Sequence, residues 1–265
     1  MVGFKAPARR TLFRGVVLVG ALLLSCSTIQ ACKLGSQPDL RIGAAISLRS
    51  VFPQLVEAWR DIHPNSKVDV TFAASGTIVR QVRGGAPLDV VVLADAHSVD
   101  ALVDAGDVDG RTRRVVAHNT LVVVAGQSRG DVDPLLALAQ LGSNEQLAIG
   151  DPAYVPVGRY ARAALEAAGL WGTVSDRLVY APDAAATLAY VGREEANMGI
   201  VYATDAKRSS GTVVVGPLLA AEGRPVVVAA AATYANPQAQ EFVEFLSGDQ
   251  ARDIFVALGF DSPLP

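Results

Sequence analysis

The stretch "SGTIVRQVRGGAPLDVVVLAD", residues 75–95, decides the architecture. It opens on Ser75 and Gly76, runs through a helix-like pattern and closes on Gly84 and Gly85, where a helix stops. It then becomes a strand, "LDVVVLAD", with an unbroken apolar centre. A strand without a polar face is covered on both sides, as in parallel sheets flanked by helices. The preceding "SKVDVTFAA" (66–74) reads as another strand. The unit is therefore strand, helix, strand, with a hydroxyl and a glycine where the first strand turns into the helix.

The same alternation continues outward. "LRIGAAI" (40–46) is a strand, and "LRSVFPQLVEAWRDIHP" (48–64) is helix-like, with Val51, Leu55, Val56 and Trp59 on one face. Pro53 falls in its first turn, where proline is tolerated. Downstream, "AHSVDALVDAG", "VGRYARAALEAAG" and "AAATLAYVGREEA" read as helices among the strands "NTLVVVAG", "QLAIGDP", "MGIVYATDA", "TVVVG" and "RPVVVAAA". Amphipathic helices at 236–248 and 249–258 close the chain. The strands fit one large sheet or two smaller ones. No repeat, low-complexity run or Pro/Gly linker divides the chain, so two lobes would require it to cross between them more than once.

Composition agrees with an α/β protein: 265 residues, 51% hydrophobic, 6% aromatic and a net charge of −3. The mildly acidic balance argues against a nucleic-acid or anionic-membrane surface, which needs clustered Lys and Arg.

The first 38 residues read as a targeting segment and tether. Lys5, Arg9, Arg10 and Arg14 precede the apolar run "GVVLVGALLL" (15–24). That run is shorter than the roughly 20 residues a membrane-spanning helix needs, and fits a secretory signal peptide. "LLLSC" then resembles a bacterial lipobox, with Cys26 as the acylated residue and Cys32 as a second candidate; an ordinary signal peptide is the alternative. These are the only two cysteines, so the domain that follows has no disulfide and no cysteine metal site. "KLGSQPD" (33–39) reads as the tether.

Open α/β folds bind ligands at the carboxyl ends of their strands. Several such ends stand out: Ser47 after "AAI", Ser75 with Gly76 and Thr77, the loop of "GDPAYVPVGRYA" entering a helix near Val157, the turn of "APDAAATLAYV" near Ala184, and Tyr202. Each sets a helix start, with free backbone N–H groups, beside small residues or a hydroxyl, an arrangement that binds anions. Taken singly, Ser47 and Ser75 read as plain N-caps, Asp151–Pro152 as a loop turn and Tyr202 as a half-buried strand tyrosine. The signal lies in their number.

Enzyme constellations are poorly supported. No G-x-S-x-G surrounds Ser47 or Ser75, and there is no Walker A or G-x-G-x-x-G. His63, His97 and His118 are scattered and read as surface or loop residues; Glu194–Glu195 reads as a solvated helix face.

The motifs "AAISL", "FAASGTIVRQVRGGAPLDVVVLAD", "HNTLVVVA", "LAIGDPAYVPVGRYARAALEAAGLW" and "MGIVYATDA" occur in order over residues 41–260. Together they resemble the periplasmic molybdate-binding proteins of ABC transporters, a type II solute-binding protein family. The resemblance implies a two-lobe periplasmic-binding-protein fold, each lobe a mixed, mostly parallel sheet flanked by helices, with a cleft between. It puts lobe one at 39–118 plus 229–265 and lobe two at 119–228. It also implies the ligands of a molybdate oxyanion: the hydroxyls of Ser47, Ser75 and Tyr202 and the amides of Val157 and Ala184. Arg49 stands where the family commonly has a small polar residue, and is expected on the helix surface.

The function implied is capture of molybdate, with tungstate, for an ABC importer's permease and ATPase. The protein is expected to be a monomer and not an enzyme, with no cofactor, no nucleic-acid partner and no membrane contact beyond a lipid anchor at Cys26. Its expected location is the periplasm or the outer face of the cytoplasmic membrane. The alternatives are a sulfate- or phosphate-type receptor of the same fold, and a secreted hydrolase using Ser47 or Ser75. Hydrogen phosphate would want a carboxylate acceptor, a role open to Asp151 or Asp183 only if one turned inward.

Overall fold

The computed structural model describes residues 39–126, 132–218, 226–233 and 236–263. The expected signal peptide and tether, with Cys26 and Cys32, lie outside the described residues.

The chain begins with β1 (Leu40–Ala45), α1 (Phe52–Ile62), β2 (Val68–Ala73), α2 (Ser75–Arg83), β3 (Val90–Leu93), α3 (Ala96–Asp104) and β4 (Arg114–Asn119). It continues through β5 (Leu121–Ala125), α4 (Pro134–Ala139), β6 (Leu147–Gly150), α5 (Pro156–Ala167), α6 (Trp171–Val174), β7 (Leu178–Ala181), α7 (Ala184–Gly192), β8 (Met198–Tyr202), α8 (Ala203–Ala206) and β9 (Val213–Leu218). It closes with β10 (Val226–Ala232), α9 (Pro237–Ser247) and α10 (Asp249–Ala257).

Two five-stranded sheets result, in the orders β2-β1-β3-β10-β4 and β7-β6-β8-β5-β9. They form the two lobes expected. In the first, β1 is parallel to β2 and β3, while β10 is antiparallel to both β3 and β4. In the second, β6 is parallel to β7 and β8, while β5 is antiparallel to β8 and β9. Each sheet is thus mixed, with one reversed strand in fourth place. The reversal has a simple cause. The chain leaves the first sheet along β4 and enters the second along β5 after one residue, Thr120. It re-enters the first sheet along β10. A strand arriving from the opposite lobe runs against those wound from within.

The sequence pattern is realised where burial dictates it. Val90–Leu93 are buried at every position, as a strand covered on both faces requires. Phe52, Leu55, Ala58 and Trp59 form the buried stripe of α1, and Pro53 sits in its first turn. Val51 is also buried, while Val56 is only partly so. Trp59 packs edge-on against Phe242 of α9, with centroids 5.1 Å apart. Several local expectations fail, among them Ser47 as an N-cap, since it lies inside the turn Ile46–Leu48, and Tyr202 as half-buried, since it is buried. Glu194 and Glu195 do not extend a helix face: α7 stops at Gly192, and Glu194 turns left-handed with φ 60°. His118 is no loop residue but sits partly buried in β4, where desolvation lowers its pKa. Ser75 is not an N-cap but the first residue of α2, behind Ala74.

Candidate functional site

The carboxyl ends of β1, β2, β6 and β8 converge on one cleft. A cavity of about 250 Å³, counting its open mouth, lies there. Its lining is Ala45, Ile46, Ser47, Ala74, Ser75, Ala94, Val155, Pro156, Val157, Asp183, Ala184 and Tyr202. All five residues singled out as oxyanion ligands, Ser47, Ser75, Val157, Ala184 and Tyr202, therefore surround the same space. All five are buried, Tyr202 at 2% exposure.

The backbone explains the arrangement. After β1 the chain makes one short 3-10 turn, Ile46–Leu48, with Ser47 at its centre and no side-chain cap. Ala74 is extended, and α2 starts at Ser75 without a side-chain cap. Val155 is likewise extended, and α5 starts at Pro156 without one. By contrast α3, α4, α7 and α9 are capped by Asp95, Asp133, Asp183 and Asn236. The first-turn N–H groups of a helix have no partner within it, and a buried end without a cap needs one from elsewhere. Two such ends and an uncapped turn face this cavity, with the positive end of each helix dipole directed toward it.

Close approach is enforced by glycine. A Cβ on Gly158 would sit 1.9 Å from the carbonyl oxygen of Gly150, so the start of α5 packs onto the end of β6 with no room for a side chain.

The polar atoms are held in place. The Ala94 amide donates to Ser75 Oγ at 3.2 Å, and the Tyr202 hydroxyl donates to the Ala94 carbonyl at 3.4 Å. Burial raises the Tyr202 pKa well above the usual phenol range, with the nearby charges of Asp95 and Asp205 adding to it. The hydroxyl stays a donor. No Lys, Arg or His lines the cavity among the described residues. Arg49 is exposed, in the turn before α1, and its guanidinium lies 5.1 Å from the centroid of the Phe72 ring.

Each carboxylate considered as an acceptor takes a bond from a backbone amide. Asp183 lines the cavity, but its Oδ1 accepts from the Ala186 amide at 2.7 Å. Asp151 Oδ1 accepts from the Ala153 amide at 2.9 Å within its own turn. The histidines do not converge: His63 stacks on Trp59 at 3.8 Å, His97 is exposed and His118 lies in β4. Among the described residues no group of three His, Cys, Asp or Glu could hold a metal ion.

Sequence reasoning missed one feature of the cleft. Arg159 of α5 forms an ion pair with Asp95 at 2.9 Å and donates to Ser98 Oγ at 3.0 Å, both at the start of α3. The signal that could have found Asp95 is its place before "AHSV", which suits an N-cap; no sequence signal marks its partner.

Residues 40–261 match the family described as bacterial extracellular solute-binding protein. The molybdate-binding protein ModA of Escherichia coli (strain K12) is 35% identical over 235 residues, which cover 86% of this chain and 90% of that protein. Among solved structures, the periplasmic molybdate-binding protein of Azotobacter vinelandii superposes with a TM-score of 0.71 at 22% identity, covering 84% of this chain and 99% of that one. The sulfate-binding protein SubI of Mycobacterium tuberculosis H37Rv superposes with a TM-score of 0.74 at 13% identity, covering 86% of this chain and 88% of that one. At those identities the two structures speak for the fold alone. With two lobes, a cleft ringed by helix starts and a sequence match from β1 to the residues beyond α10, the chain belongs to the bacterial extracellular solute-binding protein family.

Proposed function

We propose that the protein captures molybdate, and tungstate, outside the cytoplasm and delivers it to the permease and ATPase of an ABC importer. One observation carries this reading: two helix starts and a turn, none of them capped by a side chain, meet three hydroxyls around one buried cavity. In this reading Ser47, Ser75 and Tyr202 donate through their hydroxyls, Tyr202 turning its single O–H from the Ala94 carbonyl to the anion, and Val157 and Ala184 donate through their amides. A dianion held this way needs no formal positive charge. Hydrogen bonds to charge contribute about 1.5–3 kcal/mol each, and helix ends about 0.3–2 kcal/mol. The 35% identity to a molybdate-binding relative supports molybdate as the dianion.

The donor set of hydroxyls and amides argues against hydrogen phosphate, whose proton would face them; the one carboxylate lining the cavity, Asp183, already accepts from the Ala186 amide. Sulfate carries molybdate's charge, so only the size of the cavity separates them. The protein is a binding component and not an enzyme in this reading, works as a monomer without a cofactor, and is anchored through an acylated Cys26. Lobe boundaries at 118/119 and 228/229 belong to the same proposal, both falling inside strands that cross between the lobes, β4 and β10.

Calorimetric titration of the mature protein with molybdate, tungstate, sulfate and phosphate tests it. The expected order is molybdate and tungstate alike, sulfate much weaker and phosphate undetectable. Phosphate bound as tightly as molybdate, or no oxyanion bound at all, overturns it.

A further inference from the structure

We propose that Arg159 is a positioning residue for anion capture: without touching the anion, it clasps the two lobes together by pairing with Asp95 and Ser98. This rests on the anion-capture reading above.

Arg159 lies on α5, which packs against β6 and β8 of the second sheet; Asp95 and Ser98 start α3, which packs against β3 and β10 of the first. The ion pair therefore bridges the cleft. It stands beside the cavity, because Asp95 directly follows Ala94, whose amide and carbonyl meet Ser75 and Tyr202.

The charges explain why the bridge matters. The Asp95 side chain is only 5% exposed, one residue from the cavity wall. Its Oδ1 accepts from the Ser98 amide at 2.8 Å, capping α3. A buried carboxylate so near a bound dianion repels it unless a cation compensates. That cation comes from the opposite lobe. Only when the lobes meet is Asp95 paired, so closure and tolerance of a second negative charge become one event. Two further cross-cleft contacts lie nearby: the Arg80 guanidinium sits 5.7 Å from the centroid of the Tyr154 ring, and Gly76 abuts the Tyr154 carbonyl.

Stopped-flow kinetics with molybdate on the wild type, Arg159→Gln, Asp95→Asn and the double variant tests the clasp. Arg159→Gln leaves Asp95 unpaired beside the anion, so dissociation should accelerate roughly ten- to a hundredfold with a smaller change in association. Adding Asp95→Asn should recover part of that loss, because the repelling charge is gone. A residue that merely supports the fold would show no such recovery. Arg159→Lys, which keeps the charge, should fall between wild type and Arg159→Gln, and serves if the glutamine variant does not fold. Dissociation from Arg159→Gln within twofold of wild type, or a double variant as fast as or faster than Arg159→Gln alone, overturns the proposal. If the wild type binds no molybdate, the anion-capture reading fails by itself. X-ray scattering then decides the clasp: a larger radius of gyration for Arg159→Gln than for wild type upholds it, and equal values overturn it.

Discussion

Tyr202 reaches from the end of β8 on one lobe to the Ala94 carbonyl on the other, its hydroxyl 3.4 Å away. A contact that long contributes little to stability, yet it holds the phenol over the cavity. Tyr202→Phe should therefore leave the unliganded melting temperature nearly unchanged. Molybdate affinity should fall about ten- to a hundredfold, the loss of one hydrogen bond to charge. Calorimetry and a thermal melt on the same preparation check both; an unchanged affinity would remove Tyr202 from the proposed donors.

The two serines should separate binding from stability. Ser75 Oγ accepts from the Ala94 amide, and Ser75 is 1% exposed. Ser75→Ala leaves that buried N–H unpaired, so it should cost about 1–3 kcal/mol of stability as well as affinity. Among the described residues the Ser47 hydroxyl makes no hydrogen bond, so Ser47→Ala should lower affinity by a similar factor with stability within about 0.5 kcal/mol of wild type. Urea denaturation alongside molybdate titration distinguishes them. Wild-type binding by both variants would remove the serines from the site.

How much of this was legible follows from where each signal resides. Val90–Leu93 and the stripe of α1 were readable because burial writes itself into local apolar pattern. The reversed direction of β10 was not, because it depends on where the chain has been, not on residues 226–232 themselves. The carboxyl ends bearing Ser47, Ser75 and Tyr202 were visible as places, but only the motif resemblance joined them into one donor set. Glu194 was misread because a left-handed turn after Gly192 resembles a continuing polar helix face in sequence. The Arg159 clasp was invisible: Arg159 and Ser98 are 61 residues apart, and either alone reads as a surface helix residue.

Gly76 gives a steric test of closure. A Cβ there would lie 2.7 Å from the Tyr154 carbonyl oxygen, across the cleft. Within α2 itself alanine is favourable, by about 0.5–1 kcal/mol over glycine. Gly76→Ala should thus preserve or raise the stability of the unliganded protein while weakening molybdate at least roughly tenfold. Scattering at saturating ligand should show a larger radius of gyration than wild type. Full affinity in this variant would mean that the lobes need not approach so closely.

Cys26 carries the proposed anchor. Two or more acyl chains hold a protein at a membrane where one does not. Cys26→Ser should move the protein from the membrane fraction to the soluble one and lower its mass by the lipid. A variant that stays membrane-bound at the wild-type mass would rule out acylation at this position.

Asp205, three residues past Tyr202, should make stability depend on pH near neutrality. Its Oδ1 meets Arg208 Nη2 at 2.7 Å, but its Oδ2 is buried without a hydrogen-bond partner. Burial pushes its pKa up to about 7, against a lowering by Arg208 and a further rise from Asp183. The folded state therefore binds the proton more tightly than the unfolded chain, where the ordinary value is 3.8. Stability from this group is gained as pH falls through about 7 toward 4 and lost as pH rises, with a slope approaching about 1.4 kcal/mol per pH unit. His118 acts in the opposite sense, since burial lowers its pKa and folding then opposes its protonation. The difference between wild type and Asp205→Asn cancels that contribution. Asparagine gives up the ion pair to Arg208, whose side chain is 41% exposed, so that loss should be small. Urea denaturation at pH 5, 6, 7 and 8 should find the variant gaining on wild type as pH rises, and most stabilised at pH 8. A constant difference between the two across that range would show that Asp205 is ionised in the folded protein throughout.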